Sequence, residues 1–342
     1  MISGIDNSAM FMKLLAFAPL IFAMTASAVT MTPLDEPEWP TVVPEFKNNI
    51  FMQSRGVKSE LGDANNSKPD FFADRSFADV RMIAGAPQFH LNGKPFFALW
   101  GGLRDCRRPD KLARHSSAPI NIITVYSYTT KGSSSSEWWP SVDGFDPEVF
   151  DRQAERYGKE SNPDTYFMWD IVLYPPKDWV EANPNDICMD DTGKPISDGP
   201  APYSFASVSA IDVMEQALVK ALRYLESSKY ANRIIGYRIN SGHHAEWAGW
   251  VAPSGHFTDF SPVAQKAFAQ YVKKRHPGWS DASVPTVAER SSADAAVRAK
   301  CAAFYDFYSR RSADNVIRLM RKAREVVGDG KLLGTYMGYL LA

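Results

Sequence analysis

The sequence predicts an α/β fold: a (β/α)8 (TIM) barrel with about five βα units present, preceded by a β-hairpin. Three observations carry that expectation. Short runs apolar on both faces, as parallel strands covered by helices require, occur at 121–128, 166–174, 233–240 and 331–340. Helical periodicity fills the intervals between the later ones. The long segments after the second, third and fourth strands all carry tryptophan (Trp138, Trp139, Trp179, Trp247, Trp250), as the site-building C-terminal face of a barrel would. No Gly-rich phosphate loop follows any strand, which counts against a nucleotide-binding doubly wound sheet.

Taken in order, the elements justify that class. Within 1–28, one Lys13 precedes the apolar run Leu14–Met24, and Ala26-Ser27-Ala28 supplies small residues for cleavage. The run is too short to span a bilayer and has no polar face, so 1–28 reads as a signal peptide. The mature chain is then secreted or periplasmic, with no membrane segment left. Residues 29–84 are rich in Pro, Asp, Asn and Ser and read as an extended lead-in to a partial barrel at 85–342. At its start Asn92-Gly93 sits between two apolar runs, a type I′ hairpin signal, leading into a strand at about 95–100. From Ser209 the positions Ile211, Met214, Leu218, Leu222 and Leu225 keep helical spacing. Ser261-Pro262 is an N-cap followed by proline at the first helical position, and 295–327 continues as a long helical pattern.

Composition narrows the function. The 342 residues carry 38 basic and 39 acidic side chains, so no polycationic footprint for nucleic acid exists. Nine Trp, 14 Tyr and 20 Phe exclude disorder over most of the chain. Three cysteines (Cys106, Cys188, Cys301) fit neither a disulfide framework nor a zinc spacing, although Cys106 and Cys188 both fall in loops where a bridge is conceivable. The run Arg104–Arg114 reads as a solvated surface that would also suit an acidic sugar.

The densest polar cluster is Tyr237–Trp247, which begins in the fourth strand and runs into the following loop. Alternation puts Gly236, Arg238 and Asn240 on one face and Ile235, Tyr237 and Ile239 on the other. Asp170 on the preceding strand is then placed to pair with Arg238 inside the barrel, because a buried charge needs a partner. Glu246 lies past the strand end amid Trp247 and Trp250. A carboxyl against indole surface is desolvated, which is how a carboxylic acid stays protonated to act as a general acid.

The stretch RIIGYRINSGHHAEW resembles the fourth-strand motif of clan A glycoside hydrolases, particularly their β-galactosidase-like branch. LNGKPFF is similar to that group's opening hairpin and YPPKDWVEANPND to its third-strand exit. FSPVAQKAFAQYVKKRHPG resembles the helix after the acid/base loop, and LLGTYMGYL the next strand. The likeness covers roughly 85–342, and the order of these short words carries it. It implies retaining hydrolysis of a glycosidic bond with Glu246 as acid/base, a second carboxyl about 5 Å away, and a carbohydrate as partner. Sugar contacts would come from Tyr128, Trp138, Asn240, His243, His244 and Trp247. Two departures stand out. Ala245 occupies the place where the family has Asn, and the family's nucleophile belongs to a seventh strand, so it is missing from this chain; Glu137 or Asp143 is a weaker substitute. The expectation is therefore a truncated member of the group.

Two other readings stay open. One is a non-catalytic carbohydrate-binding remnant or fragment of the same fold. The other is a metal-dependent hydrolase at His243, His244 and Glu246, disfavoured because adjacent histidines on extended backbone point apart and no HExxH helix is present. Neither a metal nor an organic cofactor is expected.

Overall fold

The computed structural model describes residues 75–101, 120–128, 138–161, 164–197 and 201–336, all within one unit of the chain. The signal-peptide reading at 1–28 and most of the lead-in fall outside the described residues, as do Cys106 and the Arg104–Arg114 run.

The chain first forms a meander of three strands rather than a single hairpin: β1 (Ala78–Ile83), β2 (Ala86–Leu91) and β3 (Lys94–Pro95), all antiparallel. Asn92 and Gly93 take φ of 52° and 78°, the two positive values that a type I′ turn requires. β1 escaped the sequence reading because its apolar residues Val80, Met82 and Ile83 are largely exposed.

Five parallel strands follow: β4 (Trp100–Gly101), β5 (Ile122–Tyr128), β6 (Tyr166–Val172), β7 (Ile234–Asn240) and β8 (Leu332–Gly334). Their spatial order is their chain order, so each strand is added on the same side of the last. A doubly wound sheet reverses its order at a switch point, and this sheet has none among the described residues. β8 stops at Gly334 where the sequence suggested a strand to 340; residues 337–342 lie outside the description.

Between the strands lie α1 (Glu148–Glu160), α2 (Lys177–Ala182), α3 (Val208–Ser227), α4 (Pro262–Arg275), α5 (Val287–Arg290) and α6 (Ala295–Val327). Their ends follow from caps. The Ser207 hydroxyl accepts from Ala210 N–H, Ser261 from Ala264, and the Asp294 carboxylate from Ala296 and Val297. Gly328, at φ 69°, ends α6. The apolar stripes of α1, α3 and α6 cover one face of the sheet. Phe150, Ala154, Leu218, Leu222, Leu319 and Ala323 form one cluster with Ile123, Val125, Trp169, Ile171, Tyr237 and Ile239. Each fully buried aliphatic side chain there is worth about 1.5–3 kcal/mol.

The meander covers the N-terminal ends of the strands, where Ala78 and Leu91 pack on Ile122, Met168 and Ile235. That contact corrects the predicted alternation. The register shifts between Phe167 and Met168, pairing Phe167 with Ile234 and Met168 with Gly236. The extra residue, Ile235, thereby joins the meander's cluster instead of the helix-facing cluster of Tyr237 and Ile239.

Candidate functional site at the carboxyl ends of the strands

The face of the sheet away from the helices is polar at its centre. Asp170 and Arg238 are register partners, and the guanidinium meets the carboxylate twice, Nε to Oδ1 at 2.5 Å and Nη2 to Oδ2 at 3.0 Å. Nη2 also donates to Thr124 Oγ1 (2.9 Å), which accepts from the Trp100 indole N–H as well. The Trp100 and Tyr336 rings flank the guanidinium at 5.0 and 4.4 Å. Burial pushes the Asp170 carboxyl up to about 7, with Arg238 and a hydrogen bond from Tyr336 opposing it. The Asp170–Arg238 pair was legible from alternation; Trp100, Thr124 and Tyr336 became visible only once the register was fixed.

Asn240 ends β7 on the same face and is fully buried. Its Oδ1 accepts from Tyr336 N–H (2.9 Å) and Thr335 Oγ1 (3.3 Å), while its Nδ2 has no hydrogen-bond partner among the described residues.

Immediately beyond Asn240 the chain folds into a tight turn. Trp247 N–H donates to Ser241 O, His243 N–H to Ala248 O, and Glu246 N–H to His243 O. Such closure needs left-handed backbone, and Gly242, His244, Ala245 and Trp247 have φ of 76°, 53°, 65° and 54°. Gly242 is obligatory, because a Cβ there would sit 2.8 Å from Ala248 O and 3.0 Å from the Phe205 ring. The turn is pinned from below by the Trp247 indole N–H on Ile239 O (3.0 Å) and from α6 by Ser312 Oγ on Trp247 O (3.1 Å). Tyr203 OH and Ser241 Oγ, 2.9 Å apart, tie it to the segment before α3. Glu246 stands half-buried on this turn, His243 half-buried and His244 exposed.

Three sequence expectations are corrected here. Trp138 is 0% exposed: it stacks on Trp139 at 6.2 Å and packs on Phe145 and Phe150, so it has no free face for a sugar. Trp247 is likewise buried, against Phe205, with its N–H used by the backbone. Trp139, Trp179 and Trp250 are buried too, donating to Val142 O, Ser209 Oγ and Tyr203 O. The loop tryptophans are thus the core of the layer above the strands. Finally, His243 and His244 do not point apart: the left-handed His244 backbone brings their ring centroids to 3.8 Å.

The structure therefore gathers Asn240, His243, His244 and Glu246 at the β7 exit and removes Trp138 and Trp247 from the ligand side. Tyr128 ends β5 opposite Val172, its side chain outside the description together with Glu137; Asp143 is exposed before α1. Cys188 and Cys301 are free and buried. Among the described residues no three His, Cys, Asp or Glu side chains group as a metal site, and no helix is long and apolar enough to cross a membrane.

No protein-family model and no curated protein matches the chain. Among solved structures it is similar to the β-galactosidase of the psychrophilic Marinomonas ef1, with TM-score 0.49 and 13% identity over 71% of this chain and 37% of that one. A catalytic mutant of a GH42 β-galactosidase from G. stearothermophilus gives 0.47 and 13%, over 68% and 34%. The β-galactosidase of the Antarctic haloarchaeon Halorubrum lacusprofundi gives 0.45 and 13%, over 68% and 35%. These are glycoside hydrolases, the group that the sequence words resemble, and the chain spans little more than a third of their length.

Proposed function

We propose that the protein is a glycoside-hydrolase-like member of the β-galactosidase-like branch, built on barrel winding and acting on a carbohydrate at the carboxyl ends of β5–β8. Glu246 is the acid/base of a retaining two-carboxylate reaction. It protonates the glycosidic oxygen as the bond to the anomeric carbon breaks, then takes a proton from the water that releases the sugar. The attacking carboxylate comes from outside the described residues. His243 and His244 line the approach with Asn240 buried beneath them, and export through residues 1–28 belongs to the same proposal.

The observation that supports this reading most is the placement of Glu246. A half-buried carboxyl stands on a turn closed by four backbone hydrogen bonds, six residues past the end of an interior parallel strand. Barrel enzymes build their sites at that end of their strands, and rigid presentation is what proton transfer needs.

Turnover of an aryl β-galactoside by the full chain tests it. Glu246→Gln is expected to lower the rate by at least about 100-fold with the far-ultraviolet circular dichroism unchanged. Equal rates in the two proteins would remove Glu246 from the chemistry. Sugar binding without turnover in either would leave the fold a non-catalytic carbohydrate-binding one, and loss of activity to a chelator would favour metal-dependent hydrolysis.

A further inference from the structure

Two hydrogen-bond donors on the face of β7 that carries Asp170's partner are not used by any described residue. Arg238 spends Nε and Nη2 on Asp170 and Thr124, which leaves the two N–H bonds of Nη1 without a partner among the described residues. Asn240, two residues nearer the carboxyl end on the same face, has its Oδ1 fixed by Thr335 and Tyr336 and its Nδ2 unpaired. A buried amide N–H left without an acceptor is destabilising, so a partner is needed there. The two donors differ in reach. Asn240 is fully buried, whereas the Arg238 side chain is 14% exposed and Trp100 beside it is 45% exposed.

The chemistry of these free groups selects a ligand. Both Asp170 oxygens already accept from Arg238, and the groups left unpaired on this face, Arg238 Nη1 and Asn240 Nδ2, are donors. A sugar hydroxyl must also place its own proton, whereas a carboxylate only accepts. A guanidinium that holds one carboxylate on its Nε–Nη2 edge can take a second on Nη1. The exposed indole of Trp100, 5.0 Å from the same guanidinium, offers a flat apolar wall for a pyranose ring. The upward push on the Asp170 carboxyl lowers the negative charge that a second carboxylate would meet.

We infer that Arg238 and Asn240, with Trp100 beside the guanidinium, form a subsite for the carboxylate of an acidic sugar, a hexuronate. The inference rests on the proposed function only in taking the carboxyl ends of the strands as the place where a carbohydrate enters.

Binding, not turnover, tests it. Glucuronate and its neutral C6 amide, glucuronamide, are titrated calorimetrically into the full-length protein at low salt. Glucuronate is expected to bind at least tenfold more tightly. Asn240→Asp keeps the size of the side chain and the oxygen facing Thr335 and Tyr336 but replaces the free N–H2, and it should abolish the preference. Equal affinity for the two sugars in the wild type overturns the inference without recourse to any variant, as does a preference that survives in a folded Asn240→Asp protein. Glu246→Gln should keep the preference. Uronate selectivity with no hydrolysis would uphold this subsite and sink only the catalytic reading; hydrolysis of galactosides with no uronate preference would do the reverse.

Discussion

Arg238 grips both carboxylate oxygens of Asp170 across neighbouring parallel strands, Nε on Oδ1 and Nη2 on Oδ2, at the one level where β6 and β7 bring charged residues into register. The carboxylate has no exposed surface, so removing its charge partner strands it. Arg238→Met is expected to cost about 3–5 kcal/mol, the usual loss when one member of a buried pair is deleted. The double variant Asp170→Leu/Arg238→Met should recover most of that. Urea unfolding of the three proteins decides it, and a double variant no more stable than the single would refute this account of the pair.

The same pair gives stability an unusual pH dependence. Burial raises the Asp170 carboxyl to about 7, above its ordinary value. A carboxyl with a higher pKa in the folded than in the unfolded chain binds its proton more tightly in the fold. Its contribution is complete below the unfolded value of about 4 and is lost as the pH rises through the folded one. Stability due to this group therefore falls between roughly pH 4 and pH 7, by at most about 4 kcal/mol. Wild type compared with Asp170→Asn over that range isolates the effect. The difference in unfolding free energy should shift against the wild type with rising pH, and a pH-independent difference would count against it.

Within the turn that carries Glu246, two substitutions should differ sharply in cost. Ala245 pays for φ 65°, a conformation that costs an L-residue about 1–2 kcal/mol. Glycine removes that strain and adds about 0.4–1 kcal/mol of unfolded-state entropy. Ala245 also buries its methyl in the core cluster, worth about 0.8 kcal/mol, so Ala245→Gly should stay within about 1 kcal/mol of the wild type. Gly242→Ala drives a Cβ to 2.8 Å from Ala248 O in a turn that cannot widen without breaking the His243–Ala248 contact. A loss of about 1–3 kcal/mol is expected. Thermal melts of both variants test the contrast; a Gly242→Ala protein as stable as Ala245→Gly would count against the His243–Ala248 closure of the turn.

Trp138 separates core from ligand surface. Fully buried against Trp139, Phe145 and Phe150, it should cost about 3–5 kcal/mol as Trp138→Ala. Trp138→Phe, which keeps an aromatic ring in place, should leave sugar affinity unchanged. A tenfold loss of sugar binding in a stable Trp138→Phe protein would return the indole to the site.

What the sequence disclosed and what it withheld divide along a physical line. Features coded within one turn or one strand were readable: the Asn92-Gly93 hairpin, the Ser261-Pro262 helix start, the stripe Ile211–Leu225, and the strands at 121–128 and 233–240. α1 was missed because Val149, Phe150, Ala154 and Tyr157 form a narrow stripe among charged residues. Properties that depend on a partner were not readable. The position of Ile235 needs the register with β6, and the burial of Trp138 and Trp247 needs α1 and the segment before α3. The meeting of His243 and His244 needs a left-handed residue that sequence alone does not mark. For the site, Asp170, Arg238, Asn240 and Glu246 came from strand alternation and strand ends, whereas Trp100 and Tyr336 arrive from the edges of the sheet.

Those edges make Gly236 the most informative position for a final test. A Cβ on Gly236 would lie 2.5 Å from Leu332 O and 2.6 Å from Leu332 Cβ, and the oxygen belongs to backbone that cannot rotate aside. Leu332 is its register partner on β8, a strand of three residues with few hydrogen bonds to hold it in place. Gly236→Ala should therefore displace β8 while the longer β5–β6 and β6–β7 pairings persist. Because Tyr336 follows β8, its ring would leave Arg238 and its N–H would leave Asn240 Oδ1. The cost is about 1–3 kcal/mol in stability, but the sharper readout is hydrogen exchange. Amides of 332–336 should lose protection while those of 166–172 keep theirs. If β8 stays protected in Gly236→Ala, the strands are not as closely apposed as described, and the support that Tyr336 gives to Asn240 must come from elsewhere.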